Sequence, residues 1–262
     1  MARYPSLAVA VLVVVFAQGP VAMADEGGVA AGPPVAVVEG GAVEGIDVAR
    51  DELDEDLFGE PSLVVADPFE GVNRAVFAFN DKLYFYVLKP VARFYRVVPE
   101  RVRVSVGNFF TNITAPIRVV NNTLQGKIGP AGGELMRFVI NTTVGIGGLF
   151  DPATRYAAIP KSNEDFGQTL GRYGIGPGPY LVLPMLGPSN VRDGVGWAVD
   201  LFLDPLLYLV QGPEYWAASG TSTVNTVSLD KDTYEGIKRD ALDPYLFVRD
   251  AYTQHRAGKI ER

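Results

Sequence analysis

The chain of 262 residues contains no cysteine and only one histidine, His255. The lack of cysteine excludes disulfide bonds, thiolate zinc sites and cysteine nucleophiles. His255 lies in a polar stretch near the C-terminus and is interpreted as a solvated residue. There is no Gly-x-Ser-x-Gly motif, and Gly126-Lys127-Ile128 lacks the hydroxyl that follows a Walker lysine. We therefore predict no catalytic residue, no metal ligand and no cofactor.

A strongly basic region is also missing. The formal net charge is −7. Residues 25–60 hold eleven acidic residues and one basic residue, whereas residues 61–262 hold 21 basic and 19 acidic residues. The body of the chain is thus nearly neutral, and we expect no nucleic-acid partner.

Composition divides the chain into four parts. Residues 1–24 are typical of a secretory signal peptide, with an apolar core at 7–17 and an Ala-Met-Ala cleavage site at 22–24. The alternative is an uncleaved anchor, although the apolar run is short for a span of about 20 residues. Residues 25–66 are acidic and almost free of aromatics, which indicates a flexible linker. We expect one folded domain at 67–257 and a short tail at 258–262.

The folded part is predicted to be all-α. Asp-Pro occurs at 67–68, 151–152, 204–205 and 243–244, and this pair favours a helix start, because Asp caps amide groups and Pro suits the first helical position. Ser162 and Asp165 are predicted to form a variant capping box, and the glycines at 145–148 a helix end. The predicted helices are 68–89, 99–112, 116–125, 131–145, 163–170, 190–204, 205–211, 222–240 and 244–256. Short strands within 180–186 are possible, but no sheet is predicted.

Residues 163–193 combine many glycines and prolines with an apolar run at 180–186. Proline removes backbone donors and glycine admits unusual backbone angles, so a regular helix or central strand is disfavoured here. The apolar content argues equally against a mobile solvent loop. We predict a rigid, irregular segment suited to bordering a slot or meeting lipid.

Two segments are candidates for membrane contact. In the helix 68–89, apolar residues cover an arc of roughly 200°, wider than the stripe of an ordinary surface helix. This pattern indicates either a central helix or an interfacial helix with lysines at lipid phosphates. Arginines at 93, 96, 101 and 103 follow it and could contact anionic lipid. The residues predicted to contact the membrane in this segment are Phe77, Lys82, Tyr84 and Lys89.

The second segment, 197–210, is apolar on all sides and is interrupted only by Asp200, Asp204 and Pro205. Fourteen helical residues reach about 21 Å, which is too short to cross a hydrocarbon core of about 30 Å. It is either a core helix or a half-membrane helix that contacts lipid through Trp197, Phe202, Leu206 and Leu207. The two aspartates could face a watery channel, or cap the next helix and pair with Arg192.

Four ordered sequence blocks resemble the MlaA/VacJ family. They are DPFEGVNR (67–74), RFVINTT with GGLFD (137–151), NEDFGQTLG with GPGPYLVLP and LGPS (163–189), and DPY with RDAY (243–252). The resemblance runs from about residue 67 to about residue 256. It implies a single ring-like, multi-helix domain in one leaflet of the outer membrane, on its periplasmic side. Members are usually anchored through a modified cysteine, and this chain departs from that pattern.

The resemblance also implies a function. Family members remove misplaced phospholipid from the outer leaflet and pass it on, which implies a periplasmic lipid-carrier protein and a trimeric porin as partners. We hypothesise a lipid path or rim formed by Asn80, Asp165, Phe166, Arg172, Tyr173, Gly174, Gly176, Pro177, Gly178, Pro179 and Tyr180. The alternatives are a periplasmic hydrolase that uses Asp165 or neighbouring carboxylates, and a surface structural protein that transports nothing.

Overall fold

A computed structural model of the protein describes residues 65–210, 212–230 and 232–261. The predicted signal peptide and nearly all of the predicted linker lie outside these residues. Within them the chain is helical apart from one two-stranded antiparallel sheet. The prediction of an all-α fold is confirmed, and the small sheet is an addition to it.

Twelve α-helices and two strands follow one another in the described residues. The helices are α1 (Glu70–Leu83), α2 (Lys89–Tyr95), α3 (Glu100–Ile113), α4 (Ala115–Leu124), α5 (Ile128–Thr143), α6 (Pro152–Ala157), α7 (Phe166–Arg172), α8 (Val191–Leu203), α9 (Pro205–Leu209), α10 (Pro213–Leu229), α11 (Thr233–Asp240) and α12 (Pro244–Glu261). The strands are β1 (Tyr180–Leu183) and β2 (Gly187–Asn190). None of the helices in the described part of the chain is long and apolar enough to cross a membrane.

Three of the four Asp-Pro pairs start helices as predicted. The carboxylates of Asp151, Asp204 and Asp243 accept hydrogen bonds from amides in the first turns of α6, α9 and α12. Helix α6 was nevertheless missing from the predicted helices. Asp67 behaves differently, because α1 begins only at Glu70 and the Asp67 side chain accepts from the Asn73 amide at 2.8 Å.

The first helix is longer than predicted and carries a π-helical turn at Tyr84–Leu88. The helical path continues through α2 to Tyr95, beyond the predicted end at residue 89. Pro90 stands at the start of α2, where it cannot donate to the preceding turn and would crowd a carbonyl of a regular α-helix. The π-helical turn directly before it widens the backbone and accommodates this proline.

The predicted capping box at Ser162 is wrong. Helix α7 starts at Phe166, and Asp165 is itself the N-cap, accepting from the Gln168 amide at 2.8 Å. Ser162 instead donates its amide to Glu134 at 2.6 Å, which holds the residues before α7 in an extended path. The glycines after α5 do end that helix as predicted, with positive φ at Gly147 and Gly148.

The predicted helix 222–240 is also wrong, because two helices occupy this region. Helix α10 begins earlier, at Pro213, and ends at Leu229. Asp230 then accepts from the Thr233 amide at 2.9 Å, which closes a turn and starts α11 in a new direction. Helix α12 continues to Glu261, beyond the predicted helix end at residue 256.

The element contacts close into a circuit. Helix α1 leads through the π-helical turn to α2, which packs on α10, and α10 packs on α3. The circuit continues through α4, α7, α8 and β2 to β1, and β1 returns to α1. Two apolar clusters lie on this circuit, one between α1–α2 and α10–α11 around Leu88, the other between β1 and α12 around Tyr180.

Candidate functional site

Several helices bury their polar side chains and expose their apolar ones. In α5, Glu134, Arg137 and Asn141 recur at helical spacing and are at most 6% exposed. On the opposite side, Leu135 and Met136 are each 53% exposed. A helix in contact with water shows the reverse arrangement.

The same reversal is found in three further helices. Helices α3, α4 and α8 bury Arg103, Arg118 and Arg192 while exposing valine, leucine or phenylalanine. The outer apolar face, as we define it, consists of the exposed residues Val104, Leu124, Leu135, Met136, Val139, Val195 and Phe202. Exposed apolar surface of this extent marks contact with a partner or a lipid.

The buried charged side chains of α4 and α5 have partners of opposite charge. Arg118 Nε donates to Glu134 at 2.8 Å, and Arg137 donates to Asp151 at 2.8 Å. Asn122 joins this interior to the segment before α7 by donating to Ser162 Oγ at 3.0 Å. Buried charges are costly unless paired in this way, so α4 and α5 are fixed against each other by polar contacts rather than by apolar packing.

The β-hairpin is held against α1 by two asparagines. Asn73 donates to the Tyr180 carbonyl at 3.0 Å and accepts from the Val182 amide at 2.9 Å. Asn80, two helical turns later, donates to the Leu183 carbonyl at 3.0 Å and accepts from the Met185 amide at 2.7 Å. The amide side chains therefore replace the neighbouring strand that the edge of β1 lacks.

Within the Gly/Pro segment 163–193, Arg172, which ends α7, and the six residues that follow it are exposed, and this stretch is called the loop 172–178. Residues 175–178 belong to no helix or strand, as predicted, and Gly174 and Gly178 have positive φ. The loop is tied down, because the Arg192 amide donates to the Pro177 carbonyl at 3.2 Å and the Tyr173 hydroxyl donates to Leu124 at 2.7 Å. The prediction of irregular structure is confirmed for residues 175–178, whereas α7, the two strands and the start of α8 occupy most of the rest of the segment 163–193. The contacts of Tyr173 and Pro177 give the loop a defined path.

The predicted rim residues do not all lie together. Arg172, Tyr173, Gly174, Gly176, Pro177 and Gly178 are exposed in one loop, and Pro179 is half-buried at its end. Asn80 and Tyr180 lie in the interior at the hairpin, 4% and 2% exposed. Phe166 and Asp165 stand at the start of α7, half-buried. The exposed loop is thus the part of the predicted rim that can meet a ligand.

A charged cluster joins α12 to α7 and α8. Arg256 donates to both oxygens of Asp165 and both oxygens of Asp193. Desolvation would raise the pKa of Asp165, but the charge of Arg256 and hydrogen bonds from Arg256 and Gln168 outweigh it and lower this pKa to about 2. Glycines allow the close approach, since a Cβ on Gly196 would lie 2.3 Å from the Gly167 nitrogen.

The two aspartates of the segment 197–210 have different surroundings. Asp200 accepts from Asn121 at 2.8 Å and from the Phe166 amide at 2.9 Å. Desolvation raises its pKa to about 6. Asp204 caps α9, which agrees with the interpretation that an aspartate of this segment caps the next helix. Neither pairs with Arg192, whose ion-pair partner is Asp193 at 2.9 Å.

The residues predicted to contact a membrane fall into two groups. Tyr84 and Leu206 are 4% and 7% exposed, so this prediction is wrong for both side chains. Phe77 packs on the apolar clusters, and Lys89 forms an ion pair with Glu235. Trp197 and Leu207 are half-buried, whereas Lys82 and Phe202 are exposed. Of the arginines near α2, Arg96 and Arg103 donate to the carbonyl of Ser228, and Arg93 and Arg101 stay exposed.

Some residues central to this geometry were not predicted from the sequence. Asn73, Asn121 and Arg256 connect elements more than 45 residues apart in the chain. Asn73 was detectable in principle, since it stands seven residues before the predicted Asn80 on the same side of α1. The partners of Arg256 carry no comparable local pattern.

The structure combines polar contacts in the interior, an outer apolar face and a closed circuit of helices. These features define a class of protein whose outer surface contacts an apolar partner or lipid. Comparison with known proteins agrees with this class. The family model described as MlaA lipoprotein matches residues 65–259. The chain belongs to the MlaA lipoprotein family.

Several relatives are similar over most of their length. The intermembrane phospholipid transport system lipoprotein MlaA of Escherichia coli is 38% identical over 197 residues, 72% of this chain and 76% of that protein. The protein of the same name from Haemophilus influenzae is 31% identical, over 74% of this chain and 79% of that protein. An uncharacterized protein of Rickettsia felis is 35% identical, over 76% of this chain and 80% of its own length.

A solved structure supports the fold. It is described as the structural basis for maintenance of bacterial outer membrane lipid asymmetry, and it matches with a TM-score of 0.63 at 36% identity. The match covers 74% of this chain and 99% of the other chain.

Proposed function

We propose that this protein transports phospholipid at the outer membrane, removing misplaced lipid from the outer leaflet and thereby maintaining lipid asymmetry. The observation that carries the proposal is the reversed polarity of α3, α4, α5 and α8 in a chain of the MlaA lipoprotein family. A buried polar interior suits a headgroup, and an apolar exterior suits a position within a leaflet.

The physical problem that such a protein solves is desorption. Exposing both acyl chains to water costs about 0.8 kcal/mol per methylene, on the order of 20–25 kcal/mol for roughly thirty methylenes. A sheltered route removes this barrier without breaking a bond. The closed circuit of element contacts supports a ring-like arrangement for that route, and the loop 172–178 would form part of its rim.

The location and partners follow from the same proposal. The protein would be exported through the signal peptide 1–24, which is then cleaved, and would lie on the periplasmic side of the outer membrane. There it would pass lipid to a periplasmic carrier beside a trimeric porin. With no cysteine in the chain, the outer apolar face would hold it in the leaflet in place of a cysteine-linked acyl anchor.

The hydrolase alternative finds little support in the geometry. A general base near neutral pH needs a raised pKa and a free oxygen facing the substrate. Asp165 has a lowered pKa, caps α7 and is bound on both oxygens by Arg256. We therefore propose a transport protein rather than an enzyme.

The test is transfer of labelled phospholipid from donor to acceptor vesicles by the purified protein. We expect unaltered lipid to move, and deletion of Gly174–Pro179 to lower the rate while export and helix content are kept. Mass spectrometry of the lipid provides the control, because turnover products lost on substitution of Asp165 would support the hydrolase instead. A wild-type rate in the deletion variant would disprove the rim role.

A further inference from the structure

A cleft of about 530 Å³ opens between the start of α5, the segment 158–164 and the last turns of α12. Gly129, Pro130 and Gly133 form one wall, and Ile159 and Pro160 contribute to the other. The cleft contains no residue of the loop 172–178. Its volume lies within the range of small-molecule sites in proteins.

The walls of the cleft combine positive charge with apolar surface. Lys259 lines it and forms no ion pair or hydrogen bond with a described residue. Lys161 also lines the cleft but is engaged in a contact of its own. The one acidic residue of the lining, Glu164, is already bound by Lys127 at 3.0 Å and by Gln125 at 2.9 Å. The electrostatic balance of the cleft therefore favours an anion.

The backbone of α5 adds a second anion-binding element to this wall. The N-cap residue Lys127 makes no side-chain hydrogen bond to the first turn, and the amide of Gly129 has no acceptor among the described residues. The N-terminus of this 16-residue helix carries partial positive charge. Gly129 and Gly133 have no side chain, so the helix backbone itself is accessible at the cleft wall.

We infer that this cleft binds the phosphate of a glycerophospholipid headgroup. Lys259 and the free amide of α5 contact the phosphate, and Ile159 and Pro160 pack against the glycerol and the first methylenes. The inference rests on the proposed function only in taking the phosphate from a membrane lipid rather than from solution.

The first experiment fills the cleft. A Cβ on Gly129 would meet nothing within 4 Å, so Gly129→Leu places a side chain in the cleft without a clash. Gly132 is the matched control, because it lies in the same helix, is equally unobstructed and does not line the cleft. We expect Gly129→Leu to weaken binding of monomeric dihexanoyl-phosphatidylglycerol about tenfold, measured by calorimetry, and Gly132→Leu to stay within about twofold. Equal affinity in both variants would overturn the inference.

The second experiment removes the charge and does not depend on the glycine substitution folding. Lys259→Gln should weaken binding of the same lipid by roughly tenfold, as expected for a lost charge-assisted contact. Arg239→Gln, at an exposed position of α11, should leave it unchanged. Inorganic phosphate at equal concentration should not displace the lipid; full displacement would identify a site for free phosphate instead.

Vesicle transfer separates this inference from the proposed function. If Gly129→Leu and the wild type bind the lipid equally and transfer it at the same rate, the cleft is excluded as a lipid site and the proposed transport function is kept. If the wild type binds the short-chain lipid, Gly129→Leu weakens this binding about tenfold, and the wild type transfers no lipid between vesicles, the cleft is kept and transport is excluded.

Discussion

Asn73 and Asn80 hold the hairpin against α1 through four hydrogen bonds to its backbone. Replacing Asn80 by Leu leaves the Leu183 carbonyl and the Met185 amide without their partners in a mostly buried place. Each such group costs about 1–3 kcal/mol. We expect Asn80→Leu to lower the free energy of unfolding by about 2–4 kcal/mol in urea denaturation.

Asn108 offers a matched control for this substitution. It makes one exposed hydrogen bond to Leu149 at 3.3 Å, so Asn108→Leu should cost less than about 1 kcal/mol. If the two variants unfold at the same urea concentration, the hairpin does not depend on the asparagine contacts.

The partly buried carboxylate of Asp200 makes stability depend on pH. Its pKa of about 6 lies above the ordinary value of 3.8, so the folded state holds a proton that the unfolded state releases. The stabilisation that this proton contributes is fully present below about pH 4 and is lost as the pH rises through 6. A difference of about two units corresponds to at most about 3 kcal/mol.

Asp200→Asn removes this titration. We expect the difference in unfolding free energy between the wild type and the variant to change by about 2–3 kcal/mol between pH 4 and pH 7. The sign is diagnostic, because the wild type loses stability relative to the variant as the pH rises. A constant offset across this range would show that Asp200 ionises at its ordinary pKa.

At the scale of elements, helices α7 and α8 touch through glycine backbones. A Cβ on Gly196 would lie 2.3 Å from the Gly167 nitrogen, and backbone cannot move aside as a side chain can. Gly196→Ala should therefore destabilise the protein by about 2 kcal/mol or more. Gly194 lies in the same helix with its nearest neighbour at 3.9 Å, so Gly194→Ala should be neutral or stabilising by up to about 1 kcal/mol. Thermal unfolding of the two variants compares them directly.

Helix α12 is tied to α7 and α8 by Arg256, which pairs with Asp165 and Asp193, and the Tyr252 hydroxyl donates a further hydrogen bond to Asp193. Arg256→Met would leave Asp193, whose side chain is 6% exposed, without its main counter-charge. Removing one partner of a buried pair costs about 3–5 kcal/mol, so we expect α12 to lose protection in hydrogen exchange before the other helices. Arg239→Met, in an exposed pair on α11, should cost less than about 1 kcal/mol. Uniform loss of protection over all helices would contradict a local role.

The sequence predictions were accurate where the residues that cause a structural feature lie close together in the chain. The helix starts at Asp151, Asp204 and Asp243 were predictable, because a capping carboxylate and the amide it binds are neighbours in the chain. The hairpin was not, since β1 is completed by Asn73, 107 residues before Tyr180. The predicted membrane contacts at Tyr84 and Leu206 were wrong for a related reason. The pattern of an apolar stripe does not show which of its side chains a neighbouring element covers.

At the scale of the whole molecule, the proposal of a protein partly surrounded by hydrocarbon accounts for both the polar interior contacts and the exposed apolar side chains. The relatives from Escherichia coli and Haemophilus influenzae are named lipoproteins, whereas this chain has no cysteine that could carry an acyl anchor. Attachment to a membrane without such an anchor would use the protein surface, an uncleaved segment 1–24 or a partner protein.

The corner between α2 and α3 tests the first of these possibilities. Phe94 and Val97 are 82% and 79% exposed, and the exposed Arg93 and Arg101 flank them. Each apolar side chain gains about 1.5–3 kcal/mol when it leaves water. We expect the double variant Phe94→Gln, Val97→Gln to bind anionic phospholipid vesicles at least tenfold more weakly in flotation. The exposed substitution Thr221→Gln on α10 should bind as the wild type does. Unchanged flotation of the double variant would show that this corner stays in water and that membrane attachment depends on another surface.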